Sequence, residues 1–282
     1  MIEDDAYCAA LVREADRDRY LAALFAPQRH RSALLALHAF DLETAQVATR
    51  VRDPLAGEIR LQWWHDVIGG VSADQAGGHP VAARLLRAIV QYRLRPEPFF
   101  AMIEARRREL DEAPFRTLGA FAAYARDGDG TLLELATRIL SDGPYVEVDG
   151  LAANAGFAVS ATRIIGNYPH QRARGKTFVP LDLLARNGVR ISDMLADDPL
   201  HDVRAALKTL AREGLAALGR TRTLLPTLPA EAWPALLPLA PLRPALSAAM
   251  QETYDPLQPA RIPMWRRQWI LWRASRNLAR AL

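Results

Sequence analysis

The chain has 282 residues, half of them hydrophobic, a formal net charge of +4 and a single cysteine. That length allows one large helical domain or two small ones. Lone Cys8 excludes an intrachain disulfide and fits a reducing compartment, while the mild basic balance accompanies no nucleic-acid signature. Alanine, leucine and arginine dominate, so the expected class is all-α. No long apolar run is present, and nothing is expected to span a membrane.

The first residues, MIEDDAYCAALVREAD, are acidic and read as neither a secretory signal nor a transit peptide. Cytoplasmic residence is therefore expected, with association at the inner face of the membrane left open. Residues 4–25 read as one or two amphipathic helices, with Glu14 and Asp18 on a solvated face. Residues 29–51 form a strong helix. His38 and Asp41 share a face three residues apart, as a structural hydrogen bond or a catalytic pair. Glu43 lies roughly 200° around the helix from Asp41 and cannot act with it. A third helix over 53–69 carries Arg60-Leu61-Gln62-Trp63-Trp64, with both tryptophans expected in the core. A loop over 71–80 leads to a helix over 81–93. The helix over 96–112 sets Arg106, Arg107 and Arg108 in surface pairs. Asp127-Gly128-Asp129-Gly130 reads as a kink or turn, because an EF-hand loop needs further ligands that are missing.

The stretch 156–180, GFAVSATRIIGNYPHQRARGKTFVP, organises the rest. Phe157, Val159, Ile164 and Ile165 give it helical apolar spacing. Pro169 is expected to stop that helix, and a basic elbow follows from His170 to Lys176. A helix ending in such residues resembles the lip of a site. The binding candidates are Arg163, Asn167, His170, Gln171, Arg172, Arg174 and Lys176. A short helix over 181–187 closes at Asn187-Gly188. Asp193 and Asp197 suit a capped loop or solvated turn better than a metal site. Residues 200–224 form a long helix. The proline-rich stretch near 226–244 is a loop with a short helix, a candidate cover or hinge. The last segment, 264–282, is amphipathic, basic and rich in tryptophan. It either packs its tryptophan face on the bundle or lies on anionic lipid.

These blocks resemble the squalene/phytoene synthase family, whose members join two prenyl diphosphates head to head. The family's first motif, A-F-C-R-x-V-D-D-x-x-D, aligns with Ala39-Phe40; its arginine falls on Leu42 and its aspartates on Ala45, Gln46 and Thr49. The second, N-x-x-R-D-V-x-E-D, falls on Arg163, Gly166, Asn167, His170 and Gln171. Phe178 takes a tyrosine position. Arg60 to Trp64 match an R-L-x-W-W element, and residues around Tyr124 match Y-C-R-x-V-A-G. The resemblance implies one all-α bundle of the isoprenoid synthase type around a central cavity, over residues 1–282. Within the family, the string Ala39 to Val47 and the ending Lys176 to Pro180 resemble the aspartate-depleted branch of respiratory complex I assembly factor-like proteins.

Magnesium wants anionic oxygen, and a diphosphate leaves only when several charges neutralise it. Amides at Asn167 and Gln171 carry no charge, so no metal site and no cofactor are expected. The leading expectation is a non-catalytic member that assists assembly of a respiratory membrane complex, with its subunits as partners and a prenyl lipid as a further ligand. A working prenyltransferase is the alternative. It would require magnesium, with Arg163, Arg172, Arg174 and Lys176 on the prenyl diphosphate and metal ligands drawn from Asp41, Glu43, Glu104 or Glu109. A peripheral membrane lipid-binding protein is the third reading.

Overall fold

The computed structural model describes residues 2–50, 53–71, 77–111, 113–143, 148–196, 201–259 and 262–282, which form helices with no strand among them. Side chains that accept from the first free N–H groups fix many helix starts. Asp16 accepts from Arg19 N at 3.0 Å between α1 (Ile2–Ala15) and α2 (Arg17–Phe25). After α3 (Gln28–Arg50), Asp53 caps α4 (Pro54–Ile68) and His79 caps α5 (Pro80–Gln91). Next come α6 (Pro96–Leu110) and α7 (Leu118–Ala125), the latter capped by Thr117. Prolines open α4, α5 and α6 in the first turn, where a missing N–H forfeits no helical bond.

Pro169 obeys the same rule and corrects the expected helix stop. The helix α9 (Asp149–Gly166) already closes at Asn167, whose N–H bonds to Arg163 O at 2.9 Å. Pro169 then sits in the first turn of α10 (Tyr168–Ala173). Between α7 and α8 (Thr131–Leu140), the Asp-Gly-Asp-Gly stretch is a π-helical turn, Arg126–Gly130, inside an otherwise continuous helical path. This wide turn aims Asp129 into the core and leaves Asp127 outside, paired with Arg126 at 2.7 Å. The two aspartates do not converge on one ion.

Small residues let the central helices approach. Ala155, Ala158 and Ala161 of α9 are fully buried, as are Ala206, Ala211 and Ala217 of α13 (His201–Leu224), in one apolar cluster. A second cluster gathers α3 to α6, with the Phe40 ring edge-on to Trp64 (5.1 Å) and Phe99 (5.7 Å). Trp64 is buried as expected. Trp63 is half-buried and meets the His79 ring instead.

Past α10 the chain forms α11 (Leu181–Arg186) and α12 (Ile191–Leu195). Asp193 there accepts from Arg190 N at 2.8 Å, while Asp197 lies outside the described residues. The proline-rich stretch is not a cover. It forms two 3-10 segments, Leu225–Thr227 and Ala230–Leu239, and Ala232, Leu236 and Leu239 are fully buried. Proline suits these short, tight segments, and the apolar residues between the prolines supply core. α14 (Leu242–Ala249) packs on α13.

The expected terminal helix divides into α15 (Met264–Arg276) and α16 (Leu278–Ala281) at extended Asn277, whose side chain accepts from Arg280 N. Asp18 holds α15 to α2: its carboxylate accepts from Arg267 Nε at 2.9 Å and is only 5% exposed, so it does not belong to a solvated face. No helix among the described residues is long and apolar enough to cross a membrane.

Candidate functional site

Five helices and the π turn meet around a buried ionic network. Asp41 on α3 is 2% exposed and accepts from Arg19 Nη1 of α2 at 2.5 Å and from Arg106 Nη2 of α6 at 2.6 Å. Arg106 also donates from Nη1 to Glu109 Oε1 at 2.6 Å. Glu109 accepts in turn from the Tyr124 hydroxyl and, at 3.3 Å, from Arg163 Nη1 on α9. Arg163 Nη2 reaches the Tyr124 oxygen at 2.8 Å and Asp129 Oδ2 at 3.1 Å, and Ser160 donates to Asp129 as well. Three carboxylates thus interleave with three guanidiniums, and Asp16 at the edge adds a fourth acid, 3.3 Å from Arg19 Nε.

Burial alone would push the Asp41 carboxyl up, but the guanidiniums of Arg106 and Arg19 reverse this and hold it well below the usual carboxylate range. The same opposition, with Arg106 and Arg163 as the cations, lowers Glu109. Burial raises the Tyr124 phenol, which stays protonated as a donor. His38 lies near this network but not in the expected pair with Asp41. Its Nδ1 has no hydrogen-bond partner, because Asp41 points to the arginines. Burial, reinforced by Arg19, pushes its imidazole down to about 4, so it is neutral at pH 7.

A cavity of about 530 Å³ opens above the network, within the range of small-molecule sites. Its apolar wall comes from Leu42, Ala45 and Ala48 of α3, Ile164 of α9 and Phe178. Arg163, Asn167, His170, Gln171, Arg174 and Lys176 supply the polar side, so six of the binding candidates are brought together. Arg172 is not among them; it turns away to donate to Ala196 O at 2.5 Å. Gln171 is buried, with Nε2 on Ile164 O at 3.2 Å and Oε1 unpartnered.

The acids expected to replace lost metal ligands do not share a site. Glu43 faces away, 3.3 Å from His79 Nε2, and Glu104 is an exposed partner of Arg107 at 2.8 Å. Glu109 lines the cavity, with its Oε1 accepting from Arg106, Arg163 and Tyr124, whereas Asp41 is buried outside the lining with both oxygens on Arg19 and Arg106. The walls nearest the expected magnesium positions are Ala45, Gln46, Asn167 and Gln171, which offer amides and methyls. This donor set does not fit magnesium. A carboxylate would first have to leave a buried guanidinium, and the rim already carries positive charge.

The sequence reading missed Arg19, Asp129 and the role of Arg106. Arg106, expected at the surface, is 3% exposed and central. Its neighbours Arg107 and Arg108 do make surface pairs, with Glu104 and Asp111, each three residues away rather than four. Glu109, three residues after Arg106, was the one signal for its partner.

The squalene/phytoene synthase family profile matches residues 12–273. Complex I assembly factor 6 of Homo sapiens is 28% identical over 256 residues, covering 91% of this chain and 77% of that protein. Phytoene synthase of Mycobacterium tuberculosis is 27% identical over 203 residues, covering 71% of this chain and 66% of its own length. Among solved structures, a dehydrosqualene synthase bound to a ligand superposes with a TM-score of 0.82 at 17% identity, over 98% of this chain and 96% of the other. A squalene synthase from Alicyclobacillus acidocaldarius gives 0.72 at 21% identity, over 87% and 92%.

Proposed function

We propose that this chain, which belongs to the squalene/phytoene synthase family, is a non-catalytic member that assists assembly of a respiratory, complex I-like membrane complex and keeps its cavity to bind a prenyl-type lipid. The observation that carries the reading is the engagement of the cavity-lining Glu109 by Arg106 and Arg163, with buried Asp41 held by Arg19 and Arg106. In a metal-dependent prenyltransferase, carboxylates at this depth must be open to magnesium, because the departing diphosphate needs that charge. Here Asp41, Glu109 and Asp129 brace the helices instead. The similarity to complex I assembly factor 6 over most of both chains supports the assembly role.

The cavity retains the shape such a lipid needs. An apolar wall from α3, Ile164 and Phe178 faces a cationic side of Arg163, Arg174 and Lys176. That pairing suits an isoprenoid chain with an anionic or strongly polar head. The prenyltransferase alternative gains support from the match to phytoene synthase but lacks a donor set for the metal.

Deleting the gene in its own host tests the assembly role. The expected result is a fall of severalfold in intact complex I on native gels and in NADH–quinone activity. Both should be restored by the wild-type gene and also by Asn167→Ala/Gln171→Ala, which removes the amides at the metal positions. Normal complex I after deletion would overturn the assembly role. Failure of the double variant to complement, with wild-type protein levels, would overturn the non-catalytic reading of that helix end.

A further inference from the structure

The face of α15 that points to solvent carries tryptophan. Trp265, Trp269 and Trp272 are 70%, 53% and 44% exposed, and Met264 is 46% exposed. The spacing of four and then three residues puts the three indoles in one stripe, within roughly 60° of arc. Trp269 and Trp272 stack with centroids 5.0 Å apart. The buried residues, Leu271 and Ala274, lie on the opposite side together with Arg267, which reaches Asp18. Of the two expectations, docking of the tryptophan face on the bundle is therefore corrected: Leu271 and Ala274 seat the helix, and the indoles are left outside.

Charge on this segment has one sign. Residues 264–282 contain five arginines and no acidic residue, against +4 for the whole chain. Arg267 is the one that pairs with a carboxylate; Arg266, Arg273, Arg276 and Arg280 make no ion pair among the described residues. Arg266 and Arg273 lie along one edge of the stripe, roughly 70–90° from its centre, and the Arg276 guanidinium lies 5.2 Å over the Trp272 ring.

We propose that α15 is the seat of this protein on an anionic lipid bilayer, lying in the plane of the headgroups. Indoles partition to the boundary between headgroup and acyl chain because one edge is apolar and the other can donate. Guanidiniums beside them bind lipid phosphates in bidentate fashion. The complementary charge names the occupant: a bilayer of anionic phospholipid presents a continuous negative plane to a segment with no acid of its own. A neutral bilayer satisfies only the indoles. The assignment does not depend on the assembly role or on what fills the cavity, since α15 lines no part of it.

The test is flotation of the full chain with phosphatidylcholine vesicles and with vesicles containing 30 mol% phosphatidylglycerol, at about 0.05 and 0.5 M salt. The expected result is binding to the anionic vesicles, weakened by salt, with a blue shift of tryptophan emission. Trp265→Ala/Trp269→Ala should weaken that binding about tenfold or more while leaving the thermal midpoint unchanged, because both rings are exposed. Arg266→Gln/Arg273→Gln should remove the preference for anionic over neutral vesicles. Absence of flotation, or equal flotation of the tryptophan double variant, overturns the proposal. So does a stable dimer that dissociates in that variant without any lipid binding, which would assign the face to a second copy.

Discussion

Arg106→Met should lower folding stability by about 3–5 kcal/mol at neutral pH, the range for breaking a buried ion pair by removing one partner. The side chain is 3% exposed and holds Asp41 and Glu109 at 2.6 Å each. Methionine fills much of the volume but leaves both carboxylates short of a charge-assisted donor, Asp41 in a fully buried position and Glu109 at the cavity wall. Arg19 and Arg163 remain, so the network is weakened rather than abolished.

The pH dependence has a definite sign. Asp41 and Glu109 have depressed native pKa values, so their stabilisation is fully present above their unfolded values of about 3.9 and 4.3 and is lost as pH falls through the native ones. Without Arg106, burial wins back ground and both carboxyls take up protons more readily in the folded state. The difference between wild type and variant should therefore narrow as pH is lowered from 7 toward 4. Urea unfolding at both pH values measures it. A loss under about 1 kcal/mol at pH 7 would mean that the network contributes little to the fold.

Gly156→Ala should cost about 3 kcal/mol, because the added methyl meets backbone rather than a yielding side chain. A Cβ there would lie 2.5 Å from both Ala125 O and Gly130 N and 2.7 Å from Gly130 Cα. These atoms belong to α7 and the π turn, which cannot rotate away as a leucine would. Relief requires α9 to separate from the turn that carries Asp129, drawing Asp129 from Ser160 and Arg163. The loss should appear in thermal unfolding. Gly166→Ala is the control: nothing lies within 4 Å of its added methyl, so stability should hold or rise slightly.

Helix content, order and most boundaries were legible because local chemistry specifies them. Asp53 with Pro54 and Asn187 with Gly188 announce a start and a stop without tertiary information. Pro169 misled because proline ends a helix only in its interior, and at the first turn it begins one. The cavity's basic side was legible from Arg163 to Lys176, apart from Arg172, since a helix end and its elbow bring neighbours in sequence together in space.

The network beneath was not legible. Consecutive arginines at 106, 107 and 108 point roughly 100° apart, and nothing local says which faces the core. That depends on Asp41, 65 residues away in sequence. Asp129 was hidden for the same reason, because a π turn changes which face a residue occupies. Asp18 reads locally as solvated because its partner, Arg267, lies 249 residues along the chain.

The most direct test of the central claim is diphosphate release by purified protein given farnesyl or geranylgeranyl diphosphate with magnesium, with lipid products extracted. The engaged carboxylates predict no EDTA-sensitive release, while the apolar wall and cationic side predict that the prenyl diphosphate still binds, with Arg163→Met weakening it. Clear turnover abolished by EDTA would contradict the account, because it would require carboxylates in the cavity to leave their arginines for the metal.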